Sequence, residues 1–122
     1  MSVLNDTRQR LTTALEDAGL SVYDHVPERI VPPAVVITPG SPYITSGDTF
    51  GAFTVALTAS VVAATATNGV ATEALDELIE TAVIASVNEG LAFDNASSFY
   101  AFNTNGASYL AADISLTDTI TL

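Results

Sequence analysis

Two stretches of the chain place apolar residues at the spacing of an amphipathic helix. Residues 2–18 form the first stretch, and Gly19 follows them where a helix commonly ends on a glycine. Residues 70–88 form the second, and Gly90 follows them in the same way. The pattern therefore predicts two helices, each with one face turned toward a core. The apolar positions are Leu4, Leu11, Leu15 and Ala18 in the first stretch and Leu75, Leu78, Ile79, Ala82, Val83 and Ile84 in the second.

Other stretches are typical of strands, because they alternate apolar and polar residues or form short apolar runs between prolines and glycines. The last strand has the most regular alternation, and Asp118 is the one break on its apolar side. These patterns predict an α+β fold in a single domain spanning residues 1–122, with an antiparallel sheet of about five strands and two helices packed on one face, in the order α-β-β-β-α-β-β. The predicted strands lie near residues 20–26, 34–38, 53–61, 98–103 and 109–122.

The charges are distributed unevenly along the sequence. The three cationic residues are all arginines and lie within the first 29 residues, whereas residues 30–122 carry nine carboxylates and neither lysine nor arginine. The formal net charge is −11. Binding of nucleic-acid phosphates or of an anionic membrane requires clustered Lys and Arg, so the composition argues against both. A GC-rich genome would also explain the missing lysine, and a halophilic host would also explain the acidity.

Catalysis needs a poised nucleophile or a proton shuttle, and the chain is poor in both. It has no cysteine, which excludes a thiol nucleophile, a disulfide and a zinc–thiolate cluster. The single histidine is His25, and its neighbour Asp24 would point to the opposite face of a strand. No nucleophile elbow, phosphate-binding loop or dinucleotide fingerprint is present. We therefore expect no enzymatic activity and no cofactor.

Four carboxylates line one face of the second predicted helix, opposite its apolar stripe. They could hold a hard cation, but a bare helix face lacks the loop carbonyls of a calcium site, so we expect no metal. They could also form an ordinary solvated face. A third interpretation pairs them with arginines, in the same chain or in a neighbouring copy, because like charges one turn apart repel. The candidate subunit-interface residues are Arg8, Arg10, Arg29, Glu73, Asp76, Glu77 and Glu80.

The segment 39–50 joins two predicted strands and is longer than a tight hairpin needs. Tyr43 and Ile44 are apolar residues in this otherwise polar loop, which also contains Asp48. The loop either folds back over the core or forms an arm that contacts a partner through these three residues. The sequence leaves the two interpretations open.

Several short strings carry a family resemblance: VYDHVPER at residues 22–29, PPAVVI at 32–37 and PGSPYI at 39–44. They resemble the tail terminator proteins of long-tailed phages that infect actinobacteria. The order of elements is similar over nearly the whole chain, including the helix string LDELIE at 75–80 and the closing strand SYLAA at 108–112.

The resemblance implies a structural virion protein. Such proteins form a ring, typically a hexamer, on the last ring of the tail tube, where they end its polymerisation and present a surface for head joining. Double-stranded DNA passes through the lumen without specific binding, and an acidic lumen would repel its phosphates. The implied partners are other copies of the chain, the tail-tube protein and a head-completion or connector protein, and the implied location is the head-proximal end of the tail after assembly in the host cytoplasm.

Two alternatives remain open at this point. Another virion joint, such as a head–tail connector or a tail-tube subunit, has the same need for a ring and for a lumen that tolerates DNA. A small acidic module that binds a basic protein is the other alternative, and it would be a monomer. A ring needs unlike faces that meet each other, and the basic start and acidic remainder of the chain would supply them.

Overall fold

The computed structural model describes residues 3–25, 31–47, 50–63, 68–104 and 107–121. It confirms the predicted α+β class with two helices, and within these ranges the sheet has six strands rather than about five. The elements are α1 Val3–Asp17, β1 Val22–Tyr23, β2 Ala34–Ser46, β3 Ala52–Val62, α2 Asn68–Asn88, β4 Ala92–Ala96, β5 Tyr100–Thr104 and β6 Ala107–Thr121.

Three long antiparallel strands, β2, β3 and β6, form the centre of the sheet. β4 and β5 follow one another along the outer edge of β6, and both are antiparallel to it. On the opposite edge β1 is parallel to β2, with Val22 beside Val35. The prediction of a wholly antiparallel sheet is therefore wrong at β1. A tight hairpin cannot join parallel neighbours, and residues 24–33 separate β1 from β2.

Both helices end as the glycine positions predict. Gly19 and Gly90 have positive φ angles of 92° and 105°, which suit glycine because it has no Cβ. After each glycine, the next residue donates its N–H to the carbonyl five residues earlier at 3.1 Å. This is the Schellman arrangement, which satisfies carbonyls left free at a helix end. The chain then enters β1 or β4 directly, so these two ends fix where the helices meet the sheet.

The core lies between the helices and one face of the sheet. Alternate residues of β3 and β6 point into it, as their period of two predicts. Buried hydroxyls on the helices donate to carbonyls four residues earlier, as Ser86 does to Ala82 at 2.7 Å, so they need no further partner. The largest buried side chains are Leu11, Leu15, Val35, Ile37, Val55, Leu57, Val61, Val62, Leu75, Ile114 and Leu116.

Three details of the predicted elements are wrong. β2 continues to Ser46, so most of the predicted loop 39–50 is strand, with an irregularity between Pro39 and Ile44. β4 was not predicted, and all five of its residues are exposed. Ile84 belongs to the predicted apolar stripe, yet its side chain is 61% exposed. It borders an open groove of about 540 Å³ between α1 and α2 instead of entering the core.

Candidate assembly surfaces

Arg10 joins three elements of the chain. From α1 it donates through Nη1 to Asp118 Oδ2 at 3.1 Å and through Nε to Glu89 Oε1 at 3.4 Å. Its Nη2 also donates to the Glu89 backbone carbonyl at 3.3 Å, at the end of α2. Asp118 breaks the apolar series of β6, and this contact explains why a carboxylate is stable there: it faces the helix side and meets a guanidinium.

Arg8 makes a different contact. Its Nη2 donates to the Tyr43 hydroxyl at 3.2 Å, and its Nε is buried without a hydrogen-bond partner among the described residues. Tyr43 is half-buried and packs against the core, whereas Ile44 beside it is exposed. Tyr43 thus contacts the core as a residue of strand β2 and not as part of a loop. Asp48 and Arg29 lie outside the described residues.

The four carboxylates of α2 are all exposed, as a solvated face requires. In the described part of the chain none of them forms an ion pair, and neither Arg8 nor Arg10 reaches them. The structure therefore does not bring the two halves of the proposed arginine–carboxylate pairing together within one subunit. We call Glu73, Asp76, Glu77 and Glu80 the acidic stripe.

His25 and Asp24 form a pair, contrary to the expectation that strand alternation separates their side chains. His25 Nδ1 lies 2.8 Å from Asp24 Oδ1, and Gln9 donates to Asp24 Oδ2 at 2.7 Å. β1 ends at Tyr23, so strand alternation no longer separates the two side chains. The hydrogen bond with His25, and then that from Gln9, lowers the pKa of Asp24 below its ordinary value. His25 is largely exposed.

The second face of the sheet carries no helix, and we call it the open face. Thr54 and Thr58 of β3 lie on it, half-buried, opposite Thr119 and Ser115 of β6, and Ser60 lies opposite Asp113. Toward the other end Ala34 and Val36 form a small apolar cluster with Tyr23 and Phe102. The face thus changes along its length from aromatic to hydroxyl-bearing. Its hydroxyl residues on β6 are Ser115, Thr117, Thr119 and Thr121.

Asp113 stands where these two zones of the open face meet. Its Oδ1 accepts hydrogen bonds from Ser60 Oγ at 2.8 Å and from the Tyr100 hydroxyl at 2.7 Å. Its backbone N–H donates to Ser97 Oγ at 2.9 Å, which ties the segment between β4 and β5 to β6. Burial, together with the Asp113 carboxylate, raises the pKa of Tyr100 to about 12. The cluster therefore fixes β5 against the sheet, with a neutral phenol as the donor.

Large aromatic side chains are exposed along the outer edge of the sheet. Phe93 is 43% exposed, and Phe99 and Tyr100 are each 36% exposed. β4 pairs with β6 on one side only, so its other side is a free strand edge in the described structure. We call β4 with these three residues the aromatic edge. Sequence reasoning missed it as a surface, although the three aromatics within eight residues are the signal that could have indicated it.

Within the described residues, no group of three or more His, Asp or Glu side chains is placed to hold a metal ion. None of the described helices has the length and apolar character needed to cross a membrane. Comparison with models of known protein families gives no match, and comparison with curated proteins gives none either.

Proposed function

We propose that this chain is the subunit of a homo-oligomeric ring that caps the tail tube of a long-tailed phage, ends its polymerisation and offers a surface for head joining. The resemblance of residues 22–44 and of the element order to tail terminator proteins supports this function. On this proposal the protein is part of the virion, at the head-proximal end of the tail. Its partners are the tail-tube protein and a head-completion or connector protein.

The aromatic edge is the observation that carries the proposal. An exposed strand edge offers unpaired N–H and C=O groups to another chain, and large aromatic side chains are enriched where proteins associate. A monomer would normally shield such an edge with charge, proline or a covering loop. β4 has one such charge, Asp94, but it also exposes Phe93, and Phe99 extends the apolar surface past its end.

The subunit also has the unlike surfaces that a closed ring requires. A ring forms when one surface of a copy meets a different surface of the next, whereas a surface that meets itself gives a two-fold dimer. The aromatic edge and the acidic stripe differ in charge and shape, and they belong to different elements, β4 and α2. The exposed groove between α1 and α2 is a third distinct surface.

The first test is the mass of the purified protein, measured by light scattering and by electron microscopy. We expect a discrete ring for the unchanged chain and a monomer for Phe93→Ser. The matched control is Phe50→Ser, which removes a fully exposed phenylalanine at the turn between β2 and β3 and should leave the ring intact. All three proteins should melt at similar temperatures. A Phe93→Ser variant that assembles like the unchanged chain would contradict the role given to the aromatic edge.

The second test adds the ring to purified tail tubes. A terminator binds one end of each tube and stops its growth, and we expect that outcome. Incorporation along the tube would instead identify a tube subunit, and binding to connector alone would identify another virion joint. A chain that stays monomeric at high concentration would favour the small acidic binding module.

A further inference from the structure

The charges of the subunit are segregated by face. Seven of the twelve carboxylates in the described residues lie on the two helices, and Glu89 directly follows α2. Among the strand residues whose pairing is described, Asp113 is the one charged side chain on the open face, and its Oδ1 already accepts two hydrogen bonds. The other described residues of that face carry hydroxyl, aliphatic, amide or aromatic side chains. The helix side is therefore strongly acidic and the open face nearly neutral.

In a ring, the electrostatic repulsion between copies depends on which of these two faces points toward the axis. Copies arranged around an axis bring their inner faces closest together, and two carboxylates about 10 Å apart repel by about 0.4 kcal/mol even in water. Each acidic stripe adds four carboxylates, so the repulsion would multiply around the ring. The outer circumference is wider, so stripes placed there repel each other less, since charges are screened beyond about 8 Å at physiological salt.

The open face has the chemistry that a channel for duplex DNA needs. Without cations it offers the phosphates no ion pairs, so transit is not slowed by binding. Threonine and serine hydroxyls keep the wall hydrated, because they exchange hydrogen bonds with water. Half-buried threonines such as Thr58 and Thr117 stand on the two central strands, β3 and β6, which form the rigid middle of the sheet.

We infer that the open face lines the channel of the ring and faces duplex DNA in transit, and that the acidic stripe of α2 faces outward. The inference rests on the proposed ring and adds its orientation. It also replaces the expectation of an acidic lumen, because the carboxylates of the helices then lie outside the channel. The channel wall is a neutral hydroxyl surface with Asp113 as its charged residue among those described.

Single cysteines test the orientation directly, because the natural chain has none. Thr58→Cys and Thr117→Cys label the open face, and Glu77→Cys labels the acidic stripe as the matched control. Each assembled ring is treated with a small maleimide and with a maleimide attached to a polymer too bulky to enter the channel. The same cysteines in the Phe93→Ser background give the reactivity of the unassembled subunit. Melting curves confirm that every variant is folded.

We expect the two open-face cysteines to react with the small reagent in the ring and to lose most of their reactivity toward the bulky one. Glu77→Cys should react with both reagents in both states. Protection of Glu77→Cys from the bulky reagent, with Thr58→Cys fully reactive, would reverse the orientation and overturn the inference. Protection of the open-face cysteines from both reagents would also overturn it, since the face would then be buried between copies.

The same samples separate this inference from the proposed function. A monomeric mass for the unchanged chain refutes the ring, and with it the orientation, before any labelling is done. A ring that shows the expected labelling but does not cap tail tubes contradicts the terminator function while it supports the neutral channel.

Discussion

Replacing Arg10 by alanine removes the side chain that connects α1 to α2 and β6. The contact with Glu89 is between two largely exposed side chains, 44% and 40%, and such pairs contribute at most about 1 kcal/mol. The contact with Asp118 differs, because the Asp118 side chain is only 14% exposed. A hydrogen bond to a charged group contributes about 1.5–3 kcal/mol, and the exposure of Arg10 places this one toward the lower end.

We therefore expect Arg10→Ala to lower the free energy of unfolding by about 2 kcal/mol. With an unfolding entropy of about 2.1 cal/mol/K per residue, that loss lowers the melting temperature of a chain of this length by about 8 °C. Urea unfolding followed by circular dichroism measures it, and an unchanged m value shows that the same surface unfolds. Thr13→Ala, at an exposed position of the same helix, is the control and should change stability by less than about 0.5 kcal/mol.

For Asp118, which is the partner of Arg10, we expect the opposite effect on stability. Asp118→Leu should be neutral or stabilising, because it extends the apolar series of β6 and leaves no buried charge behind. Arg10 keeps its contacts with Glu89, and water can replace the Asp118 oxygen that accepts from the exposed Thr119 N–H. The double variant should then resemble Asp118→Leu. Equal destabilisation by Arg10→Ala and Asp118→Leu, or no effect of Arg10→Ala, would refute the idea of a buried carboxylate compensated by Arg10.

Two further predictions concern the sheet. A Cβ on Gly40 would lie 2.7 Å from the Ala56 Cβ, so Gly40→Ala should lower the free energy of unfolding in urea by about 1–3 kcal/mol. Gly69→Ala, in the open first turn of α2, should instead raise it by about 0.5–1 kcal/mol. Equal stability of the two variants would contradict the close approach at Gly40. Because the pKa of Tyr100 is raised to about 12 from 10, the neutral phenol stabilises the fold fully below pH 10, and this contribution is lost as the pH rises to 12. We expect the difference between the ultraviolet titration curves of the folded protein and of Tyr100→Phe to show one phenolate step near pH 12. Asp113→Asn should lower the pH of that step. A step at pH 10 would show that the Asp113 contact is absent.

The helices could be predicted from the sequence because their signals are local. Apolar residues repeat at helical spacing, and Gly19 and Gly90 occupy the one backbone conformation that favours glycine. The central strands could be predicted for a similar reason, since one side of each is buried and the alternation is visible. These elements place the core and define the two faces of the sheet before any pairing is known.

The features that the sequence did not reveal depend on pairing between distant segments. β2 extends to Ser46 because β3 pairs with it on both sides of the irregularity at Pro39–Ile44, although its prolines suggest a loop. β4 has no buried side, so alternation could not indicate it, and its existence depends on β6. Of the candidate interface residues, Arg10 is used inside the subunit, and its partners lie 79 and 108 residues away in the chain.

The uneven charge of the sequence corresponds to two separate features of the folded chain, the ion pairs of Arg10 and the nearly neutral open face. Arg10 is bound by Glu89 and Asp118, so part of the basic start stabilises the subunit and does not balance its surface. Strand propensity favours threonine over carboxylates, which accounts for part of the neutrality of the open face. Strand propensity does not account for all of this neutrality, because β6 accommodates two carboxylates. Asp113 is held by neighbouring hydroxyls, and Asp118 is turned toward Arg10. A base-composition bias would set the number of acids without regard to their side of the sheet. The separation of an acidic helix side from a neutral sheet face is therefore the property on which assembly around DNA would depend.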